Sequence, residues 1–184
     1  MRRSQLVKLV GLSEEAFNLL KARKHVPMRG RPPGSGWQDF TVEDAIAFEA
    51  AVALARCGVK KNNARAWVDL YFDVAIERAS ENDRKSTDPV YLGVVTSFGI
   101  AETTLVADDQ FPLVGSASDI ASELQSIQEA LGQDRWLDGL ITINLNLCVQ
   151  LVYLRAEQAL IADDRLEELA TLFGARSRMI TIVE

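Results

Sequence analysis

The chain of 184 residues is 48% hydrophobic and 25% charged, a balance that is typical of a globular protein and excludes a disordered or fibrous chain. Its length accommodates one ordinary domain or two small ones. No apolar run reaches the roughly 18 residues that a membrane-spanning helix needs, and the N-terminus lacks the hydrophobic region of a signal peptide. We therefore expect a cytoplasmic protein of bacterial or phage type without a membrane partner.

The net charge of −6 conceals an asymmetry along the chain. Residues 1–67 contain 12 Lys and Arg against 6 Asp and Glu, whereas residues 68–184 contain 8 basic and 20 acidic residues. A basic module attached to an acidic body can still present a local positive face to a polyanion. The distribution favours an N-terminal module that faces nucleic acid.

Residues 4–25 predict two short helices joined by a tight turn. Apolar residues at i, i+3 and i+4 within residues 6–10 indicate the first helix, Gly11 ends it, and Ser13 is a favourable N-cap for the second. The pattern fits a helix-turn-helix, whose second helix enters the major groove of DNA. It also fits an ordinary antiparallel pair of helices.

The second predicted helix carries side chains that suit contact with DNA. Asn18 is the candidate for reading a base edge, because an amide can pair bidentately with adenine. Lys21, Arg23 and Lys24 are candidates for phosphate contacts, as is the basic tip at residues 2–3. Two glutamates in the first turn of this helix suit its dipole but oppose a nearby phosphate.

Residues 28–37 form a basic loop that reads MRGRPPGSGW. A solvated connector between helices rarely needs ten residues of this composition, whereas a wing that lays Arg29 and Arg31 along a DNA groove does. Thr41 is then the expected N-cap of a third helix, and Asp44 completes an approximate capping box with it. The sequence therefore predicts a winged helix-turn-helix.

Residues 4–67 resemble the MerR-type DNA-binding domain and its shorter, excisionase-like relatives. The resemblance is carried by residues 6–13, Phe17, residues 37–44 and residues 53–59. It implies a winged helix-turn-helix that binds double-stranded DNA. Residues 18–20 are Asn-Leu-Leu where the family has Arg-Tyr-Tyr, so the phosphate contacts are expected to differ. The predicted DNA-facing residues are Arg2, Arg3, Ser13, Asn18, Lys21, Arg23, Lys24, Arg29 and Arg31.

The helix predicted to begin at Asn62 or Asn63 carries a broad apolar stripe that extends to residue 75. Such a stripe is either part of the core or a dimer seam. The candidate seam residues are Trp67, Val68, Tyr71 and Phe72. Two-fold pairing would double the contact with DNA and match a palindromic site, so we expect a homodimer.

Residues 80–89 are polar and end in a proline, which predicts a linker between a DNA-binding domain at 1–79 and an acidic body at 90–184. Strands are predicted at 91–98, 103–106, 140–143 and 179–183. Helices are predicted at 117–131 after a Ser116–Asp119 capping box, from Asn144 or Asn146 to residue 160, and at 164–173. The predicted fold class is thus α+β, with a MerR-like winged helix-turn-helix followed by a small acidic α+β body for dimerisation or effector binding.

No enzymatic constellation is visible in the sequence. His25 is the sole histidine, so a catalytic triad or a paired-histidine metal site is not expected, and glycine-rich phosphate-binding motifs are absent. Cys57 and Cys148 are far apart and are predicted to be small buried side chains. The acidic pairs at 108–109 and 163–164 are predicted to be solvated turns. We expect a protein without catalytic activity, cofactor or metal.

Three functional hypotheses fit these observations. The first is a sequence-specific transcriptional regulator that binds DNA. The second is an architectural DNA-binding protein of the excisionase or phage-packaging type. The third is a protein–protein adaptor or antitoxin that acts through the acidic C-terminal body.

Overall fold

The computed structural model describes residues 1–27, 40–81, 88–101, 104–131 and 135–175. Helices and strands alternate in blocks, and the sheet is antiparallel, so the α+β class is confirmed. The elements are α1 (Arg3–Leu9), α2 (Glu14–Ala22), α3 (Val42–Arg56), α4 (Lys61–Ala79), β1 (Tyr91–Ala101), β2 (Thr104–Gly115), α5 (Ala117–Leu131), β3 (Arg135–Asn144), α6 (Leu145–Gln158) and α7 (Asp164–Leu172).

The turn between α1 and α2 follows from Gly11. Its φ of +64° lies in the left-handed region, where glycine carries no steric penalty. The Leu12 amide donates to the Val7 carbonyl at 3.2 Å and the Gly11 amide donates to the Lys8 carbonyl at 3.1 Å. These two bonds close the end of α1 and turn the chain directly into α2.

The helix α2 begins and packs as the sequence predicts. Ser13 Oγ accepts a hydrogen bond from the Ala16 amide at 3.1 Å, which satisfies one amide that the helix leaves unpaired. On the inner face Phe17 is fully buried. Its ring centroid lies 6.2 Å from those of both Phe40 and Phe48. These aromatic contacts fix α2 against the start of α3 and its middle.

The helix α3 is the centre of the molecule. The predicted capping box is confirmed, since the Thr41 amide donates to Asp44 Oδ2 at 2.8 Å and the Asp44 amide donates to Thr41 Oγ1 at 3.3 Å. Ten of its 15 residues are buried, which is expected of a helix that is covered on all sides. It contacts α1, α4, α6, α7 and β3.

The sheet has the order β2-β1-β3, and both pairings are antiparallel. Strands predicted at 91–98 and 140–143 are confirmed and extend further. The second strand is much longer than the predicted 103–106, because residues 108–109 continue β2 and do not form a turn. β2 is an edge strand, where charged residues and a proline such as Pro112 are tolerated. The strand predicted at 179–183 lies outside the described residues.

Local capping signals set the remaining helix starts. The predicted Ser116–Asp119 capping box is confirmed, with the Ser116 amide 2.7 Å from Asp119 Oδ2. Asn144 caps α6, and Asp163 caps α7, so the second acidic pair begins a helix. The prediction for α4 was wrong by two or three residues, because Lys60 is its N-cap. No described helix has both the length and the apolar character needed to cross a membrane.

A single hydrophobic core joins the two halves of the chain. Buried residues of α1, α3 and α4 form one continuous cluster with those of β1, β3, α6 and α7. The division into domains at 1–79 and 90–184 is therefore wrong as a division between separate cores, because helices from both sides of residues 80–89 pack on each other. A smaller cluster around Val95, Leu113 and Ile120 holds α5 against the sheet.

The two cysteines differ in environment. Cys148 is buried on α6 as predicted, and burial raises the pKa of its thiol to about 12, with the charge of Glu49 adding to the effect. Cys57 is exposed, so the prediction of a buried side chain is wrong. It occupies the C-cap of α3, where the helix has already left the core.

An ion pair in the core links α3 to α6. Glu49 is only 3% exposed, and its Oε2 accepts a hydrogen bond from Arg155 Nη1 at 2.6 Å. The same Nη1 donates to the Leu9 carbonyl at 3.2 Å, at the end of α1. A Cβ atom on Gly11 would lie 3.1 Å from the guanidinium carbon of Arg155. One arginine of α6 therefore fixes α3 and the α1–α2 turn together.

We expect Arg155→Met to lower the free energy of unfolding by about 2–3 kcal/mol, because it leaves the Glu49 carboxylate buried without its cation. Urea denaturation followed by circular dichroism measures the loss. The double variant Glu49→Leu, Arg155→Met should recover part of it. Arg165→Met breaks the more exposed pair with Glu43 and should cost less than about 1 kcal/mol. Equal losses for Arg155→Met and Arg165→Met would contradict this assignment.

Candidate nucleic-acid interface

The outer face of α2 presents the residues that the sequence nominated for DNA contact. Asn18, Lys21, Arg23 and Lys24 are all exposed, while Phe17 is buried. Among the described residues the three basic side chains form no ion pair. Asn18 and Lys21 lie on α2, and Arg23 and Lys24 follow at its C-terminal end; we call these four exposed residues together the α2 surface.

Arg3 does not lie free at the N-terminal tip. Its Nη2 is 2.9 Å from Glu14 Oε2, it donates a hydrogen bond to Asn18 Oδ1, and its guanidinium carbon lies 5.6 Å from the Phe17 ring centroid. Arg3 thus ties α1 to α2 and pairs with Glu14, and its predicted contact with DNA stays a prediction. Arg2 beside it is exposed.

The Arg3 contact also limits what Asn18 can do. Bidentate pairing with adenine needs both the amide oxygen and the amide nitrogen. The oxygen accepts from Arg3, so Nδ2 is the group left to donate to a base acceptor unless Arg3 releases it. Ser13 is likewise exposed, but its hydroxyl oxygen caps α2.

Two glutamates of α3 are paired with arginines from the C-terminal half of the chain. Glu43 Oε1 accepts from Arg165 Nε at 2.8 Å, and Glu49 pairs with Arg155. Burial alone would raise the pKa of Glu43, but the hydrogen bond from Arg165, helped by backbone and Thr41 bonds, holds it below its ordinary value. Sequence reasoning missed both arginines, because they lie more than 100 residues along the chain from their partners.

Glu15 is the acidic residue that stays unneutralised near the turn. A hydrogen bond from its own backbone amide and a second from the Ser13 hydroxyl lower the pKa of its carboxyl, so it is ionised at neutral pH. It is fully exposed in the first turn of α2. A carboxylate there can accept a hydrogen bond from the amino group of a cytosine.

The predicted wing, with Arg29 and Arg31, lies within residues 28–39 and outside the described residues. Both ends of this loop are anchored beside α2. Val26 is buried at one end, and at the other the buried Phe40 donates its amide to the Met1 carbonyl at 3.2 Å. The loop therefore leaves and returns next to the helix pair.

Lys24 has a left-handed backbone, with a φ of +57°. It stands where a helix normally ends in glycine, since its amide donates to the Lys21 carbonyl and the His25 amide donates to the Leu20 carbonyl. Leu160, at the end of α6, has the same arrangement with a φ of +52°. A side chain in this conformation costs roughly 1 kcal/mol.

The candidate dimer residues fall on two faces of α4. Val68 and Phe72 are fully buried in the chain's own core, so their prediction as seam residues is wrong. Trp67 and Tyr71 are partly buried at its edge. The outward apolar residues of α4 are Trp67, Leu70, Tyr71 and Val74, at i, i+3, i+4 and i+7; Leu70 is 68% exposed. The sequence stripe was broad enough to include both faces.

Comparison of the chain with protein-family models, with curated proteins and with solved structures finds no match. The likeness to the MerR-type domain thus stays a hypothesis based on the residues themselves. Within the described parts of the chain, no group of three or more His, Cys, Asp or Glu side chains is placed to hold a metal ion.

We expect Lys24→Gly to raise the free energy of unfolding by on the order of 0.5–1 kcal/mol, because glycine removes the left-handed strain at a cost in unfolded-state entropy. Leu160→Gly is the matched variant at the far end of the molecule and should stabilise by a similar amount. Chemical denaturation of both variants measures the change. A loss of stability in Lys24→Gly would show that its side chain makes a stabilising contact that outweighs the strain.

Proposed function

We propose that the protein is a sequence-specific, DNA-binding transcriptional regulator of bacterial or phage type. The observation that carries the proposal is the α2 surface: an exposed amide and an exposed lysine on a capped helix that follows a tight turn, with two more exposed basic residues at the C-terminal end of that helix. Glu14 in the first turn of α2 is paired with Arg3, which removes one opposing charge from the field of these basic residues.

In this proposal α2 enters the major groove. Asn18 Nδ2 donates to a base acceptor, and the carboxylate of Glu15 accepts from a cytosine amino group. Lys21, Arg23 and Lys24 neutralise phosphates at the end of the helix, and the loop arginines at 29 and 31 reach the adjacent backbone. Phosphate contacts supply affinity, whereas the two base contacts supply specificity.

We also propose that two copies pair through the outward apolar residues of α4. Leu70 and Val74 would be covered only by such a partner. Lys60 and Lys61 are exposed at the start of the helix, and Glu77 is exposed near its end. Antiparallel pairing of α4 with its copy would place the basic start of one helix beside the acidic end of the other.

The exposed leucines of α6 favour a second candidate, a protein–protein adaptor. Leu147 is 45% exposed and Leu151 is 39% exposed, one helical turn apart. An adaptor would use this face and would not need the α2 surface.

DNA titration separates the adaptor from the two DNA-binding functions. The symmetry of the preferred DNA site then separates a regulator from an architectural protein. A palindrome favours the regulator, and tandem repeats favour the architectural role.

We expect the protein to bind duplex DNA with an affinity that falls steeply with salt. The logarithm of the binding constant should fall by roughly 0.9 per phosphate contact for each tenfold rise in salt. Fluorescence anisotropy with a labelled duplex, selected from random sequence, measures the slope. Absence of duplex binding at low salt would reject the regulator and the architectural protein together.

Two variants separate the proposed contact types in the same titration. Arg29→Ala with Arg31→Ala should weaken all duplexes about equally and reduce the salt slope. Asn18→Ala should mainly relax sequence preference, with a loss of about 1–3 kcal/mol confined to the preferred site. An unchanged preference in Asn18→Ala would show that α2 does not read the bases as proposed.

We expect Leu70→Glu to weaken self-association by at least roughly tenfold, because pairing would bury a charge at the centre of the seam. Size-exclusion chromatography with light scattering measures the mass over a range of concentrations. Leu160→Glu makes the same change at a leucine that follows α6 and is 93% exposed, and it should leave association unchanged. A monomeric parent protein, or an unaffected Leu70→Glu, would contradict the proposed pairing.

A further inference from the structure

A cavity of about 310 Å³ opens between α2, α3 and the first turn of α4. Leu12 and Leu20 form the wall on the side of the helix pair, and Phe48 forms part of the wall on α3. Its size is at the lower end of the range for small-molecule sites, which run from about 300 to 1,000 Å³. The surfaces that form it are mostly apolar, so an apolar group would be favoured inside it.

The polar groups that line this cavity all carry nitrogen. They are His25 from the end of α2, Arg56 from the end of α3 and Lys61 from the start of α4. No acidic side chain of the described residues lines it. Arg56 and Lys61 are exposed and form no ion pair with any described residue. The cavity therefore combines an apolar interior with two cations that pair with no acidic side chain in the described ranges of the chain.

The side chain of His25, which also lines the cavity, has a ring nitrogen that is available to a ligand. Its Nδ1 is shielded from solvent and has no hydrogen-bond partner within the described parts of the chain. Shielded polar atoms in native proteins are nearly always bonded. Nδ1 therefore has no partner among the described residues and is available to bond a ligand in the cavity.

We propose that this cavity binds a small organic carboxylate, such as a short fatty acid or an aryl acetate. The apolar body would lie against Phe48 and the leucines, and the carboxylate would accept hydrogen bonds from Arg56 and Lys61. A neutral alcohol would leave both cations unmatched. An inorganic anion would leave the apolar walls in contact with water.

The position of the site couples it to α2. Leu20 and His25 belong to the C-terminal end of α2, and Phe48 and Arg56 belong to α3, so a ligand here contacts both helices. A carboxylate that binds the DNA-bound and free forms with different affinity changes DNA affinity by the same factor. This coupling rests on the proposed function, whereas the site itself does not.

Isothermal titration of the full chain with octanoate, phenylacetate, octanol and inorganic phosphate tests the site. We expect one molecule of octanoate or phenylacetate per chain, with octanoate bound at least roughly tenfold more tightly than octanol. Equal binding of octanoate and octanol would overturn the assignment of a carboxylate. Phosphate binding as tight as octanoate, or no binding of either acid, would overturn the site.

Variants locate the binding without disturbing the core. Arg56→Gln with Lys61→Gln should abolish the preference for octanoate over octanol, and both residues are exposed, so the fold should persist. Lys8→Gln removes an exposed charge of α1 that does not line the cavity and should leave the affinity for octanoate and for octanol unchanged. Ala55→Phe should fill the cavity and weaken both ligands. An effect of Lys8→Gln as large as that of the double variant would overturn the assignment.

Duplex titration with and without saturating octanoate then tests the coupling. We expect a reproducible change in the dissociation constant for DNA that disappears in the Arg56→Gln, Lys61→Gln variant. An unchanged constant in a chain that binds both partners would overturn the coupling and leave the site. A chain that binds octanoate and no DNA would overturn the proposed function and the coupling with it.

Discussion

The buried carboxylate of Glu49 constrains the whole arrangement. A charge at this depth is costly unless a cation meets it with good geometry, and Arg155 supplies that cation from α6. The same guanidinium bonds the last carbonyl of α1 and packs beside Gly11, where any larger residue would crowd it. The end of α1, the middle of α3 and the third turn of α6 are therefore mutually dependent.

The C-terminal half of the chain is acidic overall, but it contributes two arginines where it packs against the basic N-terminal half. Arg155 and Arg165 both come from that half, and each pairs with a glutamate of α3. Their contribution neutralises two acidic residues of the basic half of the chain. A count of charges along the sequence shows that the N-terminal part is basic and the rest acidic. It does not show that arginines of the acidic part form ion pairs with glutamates of the basic part.

Features that depend on neighbours in sequence were predictable. The caps at Ser13, Thr41 and Ser116 and the central strand β1 follow from patterns a few residues long. Features that depend on distant partners were not. The division into two domains failed because the core forms between elements far apart in sequence. The choice between Phe72 and Leu70 as the outer face of α4 depends on which elements cover that helix. The bond from Arg3 to Asn18, 15 residues along the chain, likewise had no signal in the sequence.

The contrast between the two cysteines has a practical consequence. The sequence contains only these two, and the thiol of Cys148 is both buried and protonated at any pH that the protein would meet. Thiol-directed alkylation of the folded chain should therefore occur at one position, Cys57. This position adjoins Arg56 at the mouth of the cavity, so a single fluorescent label would report on this region without any engineered substitution.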